Sequence, residues 1–214
     1  MKVALDRDRV IVLRKIVYRD SDLIIRGLNS QGAKVSYLAP AALRSRKRFG
    51  GGVLEPCNFI EVIYQGSLKS NVSSAPLRRL KEAQVIKEFL GIRRSYELIQ
   101  LSLSLLALID QVGQEGDVHG EGLFNLLGHS LQYLSQADDG VSKTLFRLHF
   151  LLKFLFQQGV LNCEPWMSPF LKTSLRDHNE LIILYLQEEE SWILDRLVMI
   201  ENLVQIYRET GTSN

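Results

Sequence analysis

The period of the apolar pattern changes once along this chain, near Pro76, and no single class of secondary structure accommodates both sides. Upstream, short runs rich in Val, Ile and Tyr are separated by polar turn residues: Arg9–Tyr18 (RVIVLRKIVY), Ser21–Leu28, Ala33–Leu38 and Asn58–Tyr64, with Gly66–Val72 as a short fifth. Arg19-Asp20 and Ser30-Gln31-Gly32 supply turns. β-branched enrichment and close spacing predict a small antiparallel sheet or barrel. Five short strands suit an OB-type barrel, and the pattern alone also fits an SH3-like one.

Downstream the spacing becomes helical. Leu77–Leu90 sets Leu77, Leu80, Val85 and Leu90 among charges, with Ala and Glu favouring helix. Further helices are predicted over Tyr96–Val112, Leu123–Leu134, Ser142–Gln158, Leu175–Leu186 and Ser191–Arg208, with Gly159 as a C-terminal stop. Gly113–Gly122 is an acidic, glycine-rich loop and Glu164–Pro169 a proline-bracketed connection. The expected fold is therefore α+β and multidomain, a leading barrel over residues 1–76 followed by an all-helical domain over 77–214.

Charge divides the same way. Up to Arg94 there are 19 Lys and Arg against 8 Asp and Glu, and beyond it 7 against 16, so a net charge of +2 conceals a basic first half. A polyanion partner explains such asymmetry, and so does attraction between the two halves. Cys57 and Cys163 are too few and too isolated for a disulfide framework or a structural zinc site, which points to a reducing, cytoplasmic setting. Met1–Asp6 meets charge before any apolar run, unlike a signal peptide. The apolar stretches at 98–112 and 145–156 are interrupted by polar residues before reaching the roughly 18 apolar residues of a membrane span.

Catalytic constellations are missing from the pattern. Gly50-Gly51-Gly52 precedes Val53-Leu54 rather than Lys-Ser/Thr, His119, His129, His149 and His178 form no HExxH, and Gly128-His129-Ser130 lacks a nucleophile elbow's flanking glycine. Asp117, His119 and Glu121 read as solvated loop residues rather than metal ligands. Neither a metal nor another cofactor is expected, and the chain does not read as an enzyme. The informative residues are basic. Arg44, Arg46, Lys47 and Arg48 place four cations within five residues, followed by Phe49 and three glycines. Phosphate neutralises such a cluster with release of counterions, Phe49 is positioned to stack on a base, and the glycines let backbone approach a strand. The competing reading is a solvated loop whose Phe49 tucks into the core. Arg14, Lys15 and Arg19 on or beside the first strand, Lys34 on the third, and Arg78, Arg79, Lys81, Arg93 and Arg94 near the junction extend the basic bias.

From Ile11 to Pro56 the sequence resembles the N-terminal OB-fold of the bacterial recombination mediator RecO. The likeness rests on the IVLR opening, Tyr18 with Ser21-Asp22-Leu23, Gly32 and Lys34 before the third strand, and Phe49 leading through glycine into Leu54-Glu55-Pro56. Where that family usually has glycine after the third strand, this chain has Pro40-Ala41-Ala42, so the loop backbone is expected to differ. A weaker likeness continues through Leu123-Phe124, Leu126-Leu127, Leu131 and Phe146–Leu155. The four-cysteine zinc site of many relatives is not carried over, since only Cys163 stands in that region.

The resemblance implies a non-enzymatic, cytoplasmic, nucleoid-associated protein of DNA repair and recombination. Such proteins bind single- and double-stranded DNA and anneal complementary strands. With RecR they load RecA onto strands coated by single-strand-binding protein, whose C-terminal tail they recognise through the helical domain. Arg14, Lys15, Arg19, Lys34, Arg44, Arg46, Lys47, Arg48, Phe49, Arg78 and Arg79 are the expected DNA-binding residues. The alternatives are an adaptor whose barrel binds an acidic protein and an RNA-binding barrel.

Overall fold

The structure is a computed structural model and describes residues 5–68, 77–112, 121–137, 142–185 and 188–211. The fifth strand expected over Gly66–Val72 is described only to Leu68, where it continues the Phe59–Leu68 strand instead of starting a new one, and Asp117 and His119 lie outside these residues. The chain divides into two compact units, Met1–Phe89 with Leu103–Phe124, and Leu90–Ser102 with Asn125–Asn214.

The first unit holds five strands, β1 (Leu5–Tyr18), β2 (Asp22–Asn29), β3 (Lys34–Ala39), β4 (Phe59–Leu68) and β5 (Leu77–Lys87). They close in the order β1-β2-β3-β5-β4, with β4 returning to β1, and a short helix α1 (Arg46–Phe49) lies between β3 and β4. The OB-type barrel read from the pattern is therefore the observed fold. Every pairing is antiparallel except β3–β5, which meet in parallel at Tyr37↔Arg78 and Leu38↔Arg79. Val10, Val12, Leu23, Ile25, Val35, Tyr37, Ile60, Val62 and Leu80 alternate inward to form the core.

One expectation is overturned. Leu77–Leu90 is not a helix: Leu77–Lys87 is the strand that completes the barrel, which thus extends past residue 76 to Lys87. The misleading signal is the spacing of Leu77, Leu80, Val85 and Leu90 among charges, with Ala and Glu favouring helix. The register runs Tyr64↔Leu80 and then Ile63↔Glu82, so Lys81 is an extra residue, and the bulge returns Ala83 and Val85 to the core side. An i, i+3 spacing normally read as helical arises here from an irregular strand. The helix-favouring Ala, Glu, Lys and Gln are overridden because β3 and β4 would otherwise keep open margins.

In the second unit, the turn Leu90–Arg94 is fixed by Gly91 N–H donating to Ser135 Oγ at 3.2 Å. A Cβ on Gly91 would fall 1.7 Å from the Ser135 carbonyl oxygen, so only glycine fits. The helices are α2 (Tyr96–Val112, whose second half belongs to the first unit), α3 (Gly122–Gln136), α4 (Lys143–Gln157), α5 (Ser168–Lys172), α6 (Asn179–Leu184) and α7 (Glu190–Gly211). Ser142 caps α4, its hydroxyl accepting from Leu145 N–H. Leu145, Phe146, Leu148, Phe150, Leu151, Leu152, Phe154 and Leu155 bury nearly the whole circumference of α4, making it the centre of the unit. Expected helix 175–186 is broken into a 3-10 turn, Leu175–Asp177, and α6, while the proline-bracketed segment contributes a 3-10 turn, Pro165–Met167, that leads into α5. Among the described residues no helix is long and apolar enough to cross a membrane.

Candidate nucleic-acid interface

The basic segment between β3 and β4 is folded, not loose. Ala41 N–H donates to the Asp22 carboxylate at 2.8 Å and Leu43 N–H to Ser21 carbonyl at 3.0 Å, tying the segment to the β1–β2 turn. Cys57 N–H donates to Val12 carbonyl at 3.0 Å, and Lys15 of β1 pairs with Glu55. Ala41 has φ 52°, the left-handed region that glycine occupies freely, so alanine carries strain there.

Within α1, Ser45 caps the helix and Phe49 turns inward, 7% exposed, against Ala42, Val53 and Leu54 in the barrel core. The competing reading of Phe49 is therefore the observed one: the ring plugs the barrel and is not presented to a base. The glycines serve the same plug. A Cβ on Gly50 would lie 2.1 Å from the Arg46 carbonyl oxygen, and Gly51 and Gly52 have φ 68° and 74°. They turn the chain sharply after the helix rather than leave it supple.

The expected cations meet different fates. Arg14, Arg19, Arg44, Arg46, Lys47 and Arg79 are exposed and form no ion pair among the described residues; Arg19 stacks on the Tyr18 ring at 5.0 Å. Arg48 is exposed yet anchored, donating to Pro40 carbonyl at 3.0 Å and lying 5.0 Å over Phe49. The ties made by Ala41, Leu43 and Lys15 gather Lys15, Arg19, Arg44, Arg46, Lys47 and Arg48 at one end of the barrel. Lys34 is elsewhere: its ammonium donates to the Asp110 carbonyl of α2 at 2.9 Å. Arg26 pairs with the Asp110 carboxylate at 3.3 Å, so the barrel face that carries Arg26 and its cross-strand partner Arg14 is partly neutralised. Arg78 is drawn into an interior polar cluster, 3.7 Å from Asp8 and donating to Tyr64 hydroxyl at 3.4 Å. Asp8 also accepts from Tyr37 hydroxyl at 3.3 Å and Asn29 Nδ2 at 3.2 Å. Burial, with the Asp8 charge, pushes the Tyr37 hydroxyl's pKa upward, so it stays a neutral donor. In the second unit Arg94, grouped with the junction cations by sequence, donates instead to Gly91, Ser135 and Ala137 carbonyls.

Two cations escape the sequence reading. Arg7 and Arg9 stand outward on β1, 71% and 66% exposed, each 3.9 Å from Glu61 of β4. The signal for them is the alternation Asp6-Arg7-Asp8-Arg9, which is a strand pattern beginning before Arg9. Beyond Glu61 a cleft of about 370 Å³ opens between α1 and the outer face of β4 and β5. Lys47 and Arg48 form one wall, Glu61 and Ile63 line it from β4, and Glu82 and Gln84 from β5.

Residues 1–89, the stretch that contains this whole barrel, match the family described as Recombination protein O N terminal. The chain is also 33% identical over 154 residues to DNA repair protein RecO of Syntrophus aciditrophicus, covering 71% of this chain and 56% of that one. Residues 1–89 belong to the RecO family. Other RecO relatives are those of Maridesulfovibrio salexigens, 29% identical over 71% of this chain and 58% of theirs, and Geobacter metallireducens, 32% identical over 68% and 56%. The match thus spans little more than half the length of these RecO proteins. Among the described residues no group of three or more His, Cys, Asp or Glu is placed to hold a metal, and Cys163 stands exposed.

Proposed function

We propose that this chain acts in DNA repair and recombination by holding the backbones of single- and double-stranded DNA on the α1 end of its barrel and promoting their annealing. The observation that carries this reading is the gathering of exposed Arg19, Arg44, Arg46, Lys47 and Arg48 at that end, none of them in an ion pair among the described residues, with Arg48 held by Pro40 carbonyl, Ser45 hydroxyl and the Phe49 ring. Side chains so placed grip phosphate without reading sequence. They also lower the repulsion between two strands brought together. Lys34 and Arg78, being engaged elsewhere, are left out of the surface, and Phe49 supports it from beneath.

Replacing Arg46, Lys47 and Arg48 together with Ala is expected to weaken DNA binding. The plot of log affinity against log salt should flatten by about 2.7 for duplex, roughly 0.9 for each phosphate that the three cations cease to neutralise. An unchanged slope would remove α1 from the interface. By the RecO resemblance, the partners are RecR, the RecA being loaded and the tail of single-strand-binding protein. Exposed Leu194, Val198 and Ile206 on α7 and Ile183 and Leu184 on α6 supply apolar surface for them. The burial of Phe49 favours a second reading, since a surface with no stacking ring suits any polyanion, including an acidic protein. Stimulated annealing of complementary oligonucleotides supports the first reading; a folded chain that gives none at low salt favours the second.

A further inference from the structure

The cleft beside α1 is chemically unlike the cationic end it adjoins. Its α1 wall is basic, Lys47 and Arg48, whereas the strands offer carboxylates, Glu61 and Glu82, and the amide of Gln84. Ile63 adds apolar surface between them. Glu61 is shared with Arg7 and Arg9, but the side chains of Glu82 and Gln84 form no ion pair or hydrogen bond among the described residues, so their acceptors are available. A pure phosphate site would have no carboxylates here. At about 370 Å³ the cleft also lies at the small end of the roughly 300–1,000 Å³ that ligand clefts span.

One ligand presents anion, apolar face and hydrogen-bond donors in that order: a nucleotide out of its stack. We propose that this cleft seats a single unpaired nucleotide, its phosphate on Lys47 and Arg48, its base on Ile63, and its amino edge toward Glu82 and Gln84. Arg7 and Arg9, held at the far margin by Glu61, meet the next phosphate. This rests on the DNA reading above and deepens it, because it gives that surface a preference. Duplex DNA holds each base in its stack and presents only the unpaired amino hydrogen, in the major groove; a single strand turns a base into the cleft and offers the carboxylate both donors. A carboxylate accepts from the cytosine N4 amine, whereas thymine presents an acceptor at the same position. A peptide bearing both charges is the competing occupant. The nucleotide is favoured because the basic wall is continuous with exposed Arg44 and Arg46, a run suited to a repeating anion.

The test measures fluorescence anisotropy of equal-length labelled strands of deoxycytidine, deoxythymidine and abasic sugar-phosphate, with the matching duplex, over a salt series. Cytosine strands are expected to bind roughly fivefold to tenfold tighter than abasic ones, with thymine between. In the double variant Glu82→Ala, Gln84→Ala, both positions being exposed, cytosine is expected to fall to the thymine level while circular dichroism and melting stay as in the parent. Equal binding of all three strands with a steep salt slope overturns the cleft proposal and leaves a phosphate-only DNA surface standing. A cytosine preference that survives in the double variant overturns it as well. Failure of every strand to bind at low salt, with capture of a mixed-charge peptide instead, overturns both this proposal and the DNA reading.

Discussion

Phe49 and the three glycines after it show how a residue's role depends on which side of the backbone it faces. The cations of this segment are plain in its sequence and their exposure follows, but nothing in RSRKRFGGG says whether the aromatic points out or in. The deciding fact is tertiary: the barrel is left with an apolar opening between β3 and β4 that a large ring fills, alongside Val53 and Leu54. Phe49→Ala is therefore expected to destabilise the fold by about 3–5 kcal/mol, as removal of a buried aromatic does, read by urea unfolding. A stacking residue on the surface would instead leave unfolding unchanged and weaken DNA binding alone. Gly50→Ala is expected to cost stability too, by about 1–3 kcal/mol, because the Arg46 carbonyl already occupies the methyl's place.

At the level of elements, β1 to β4 and the long helices are legible in the sequence because their periods are regular. The apolar spacing marks α2 with its observed limits, and Ser142 and Gly159 flank α4 as expected. β5 is not legible, since a bulge gives a strand a helix-like interval and its residues favour helix in isolation. Its strand character has a direct check. Backbone amides over 77–87 pair with β4, so hydrogen exchange there is expected to slow in step with residues 59–66 and to be released with them as denaturant rises. Exchange that tracks α2 rather than β4 would contradict the barrel register.

On the scale of the whole molecule, the two units answer acid differently. His149 and His178 are fully buried in the helical unit, with Nδ1 atoms 3.0 Å apart, and His149 Nε2 is 3.1 Å from Thr173 carbonyl. If Nε2–H of His149 donates to that carbonyl, its Nδ1 must accept from Nδ1–H of His178, and both rings are neutral. Burial lowers the His149 pKa to about 4, with Lys153 adding to the effect; burial and the neighbouring ring lower that of His178 to about 3. Unfolded histidine titrates near 6.5, so below that value the unfolded chain binds protons that the folded unit refuses. Stability from this pair is complete above about pH 6.5 and is lost progressively as pH falls toward about 4 and 3. The helical unit is expected to lose tertiary structure before the barrel does, and His149→Phe with His178→Leu should lessen that acid sensitivity. Near-ultraviolet dichroism across the same range reports it; a parent chain whose helical signal is flat from about pH 7 to 4 would contradict the buried neutral pair.

The alternation Asp6-Arg7-Asp8-Arg9 also bears on how faithfully the barrel is assembled. Asp8 sits inside the mouth of the barrel, met by Arg78, Tyr37 and Asn29, while Arg7 and Arg9 flank Glu61 outside. Sliding β1 by a single position exchanges every one of these side chains between the two faces. An arginine would then confront Arg78 in a confined space, and a carboxylate would confront Glu61 on the exterior. Each misthreaded arrangement meets like charge twice over, so the four residues proofread the first pairing the strand makes.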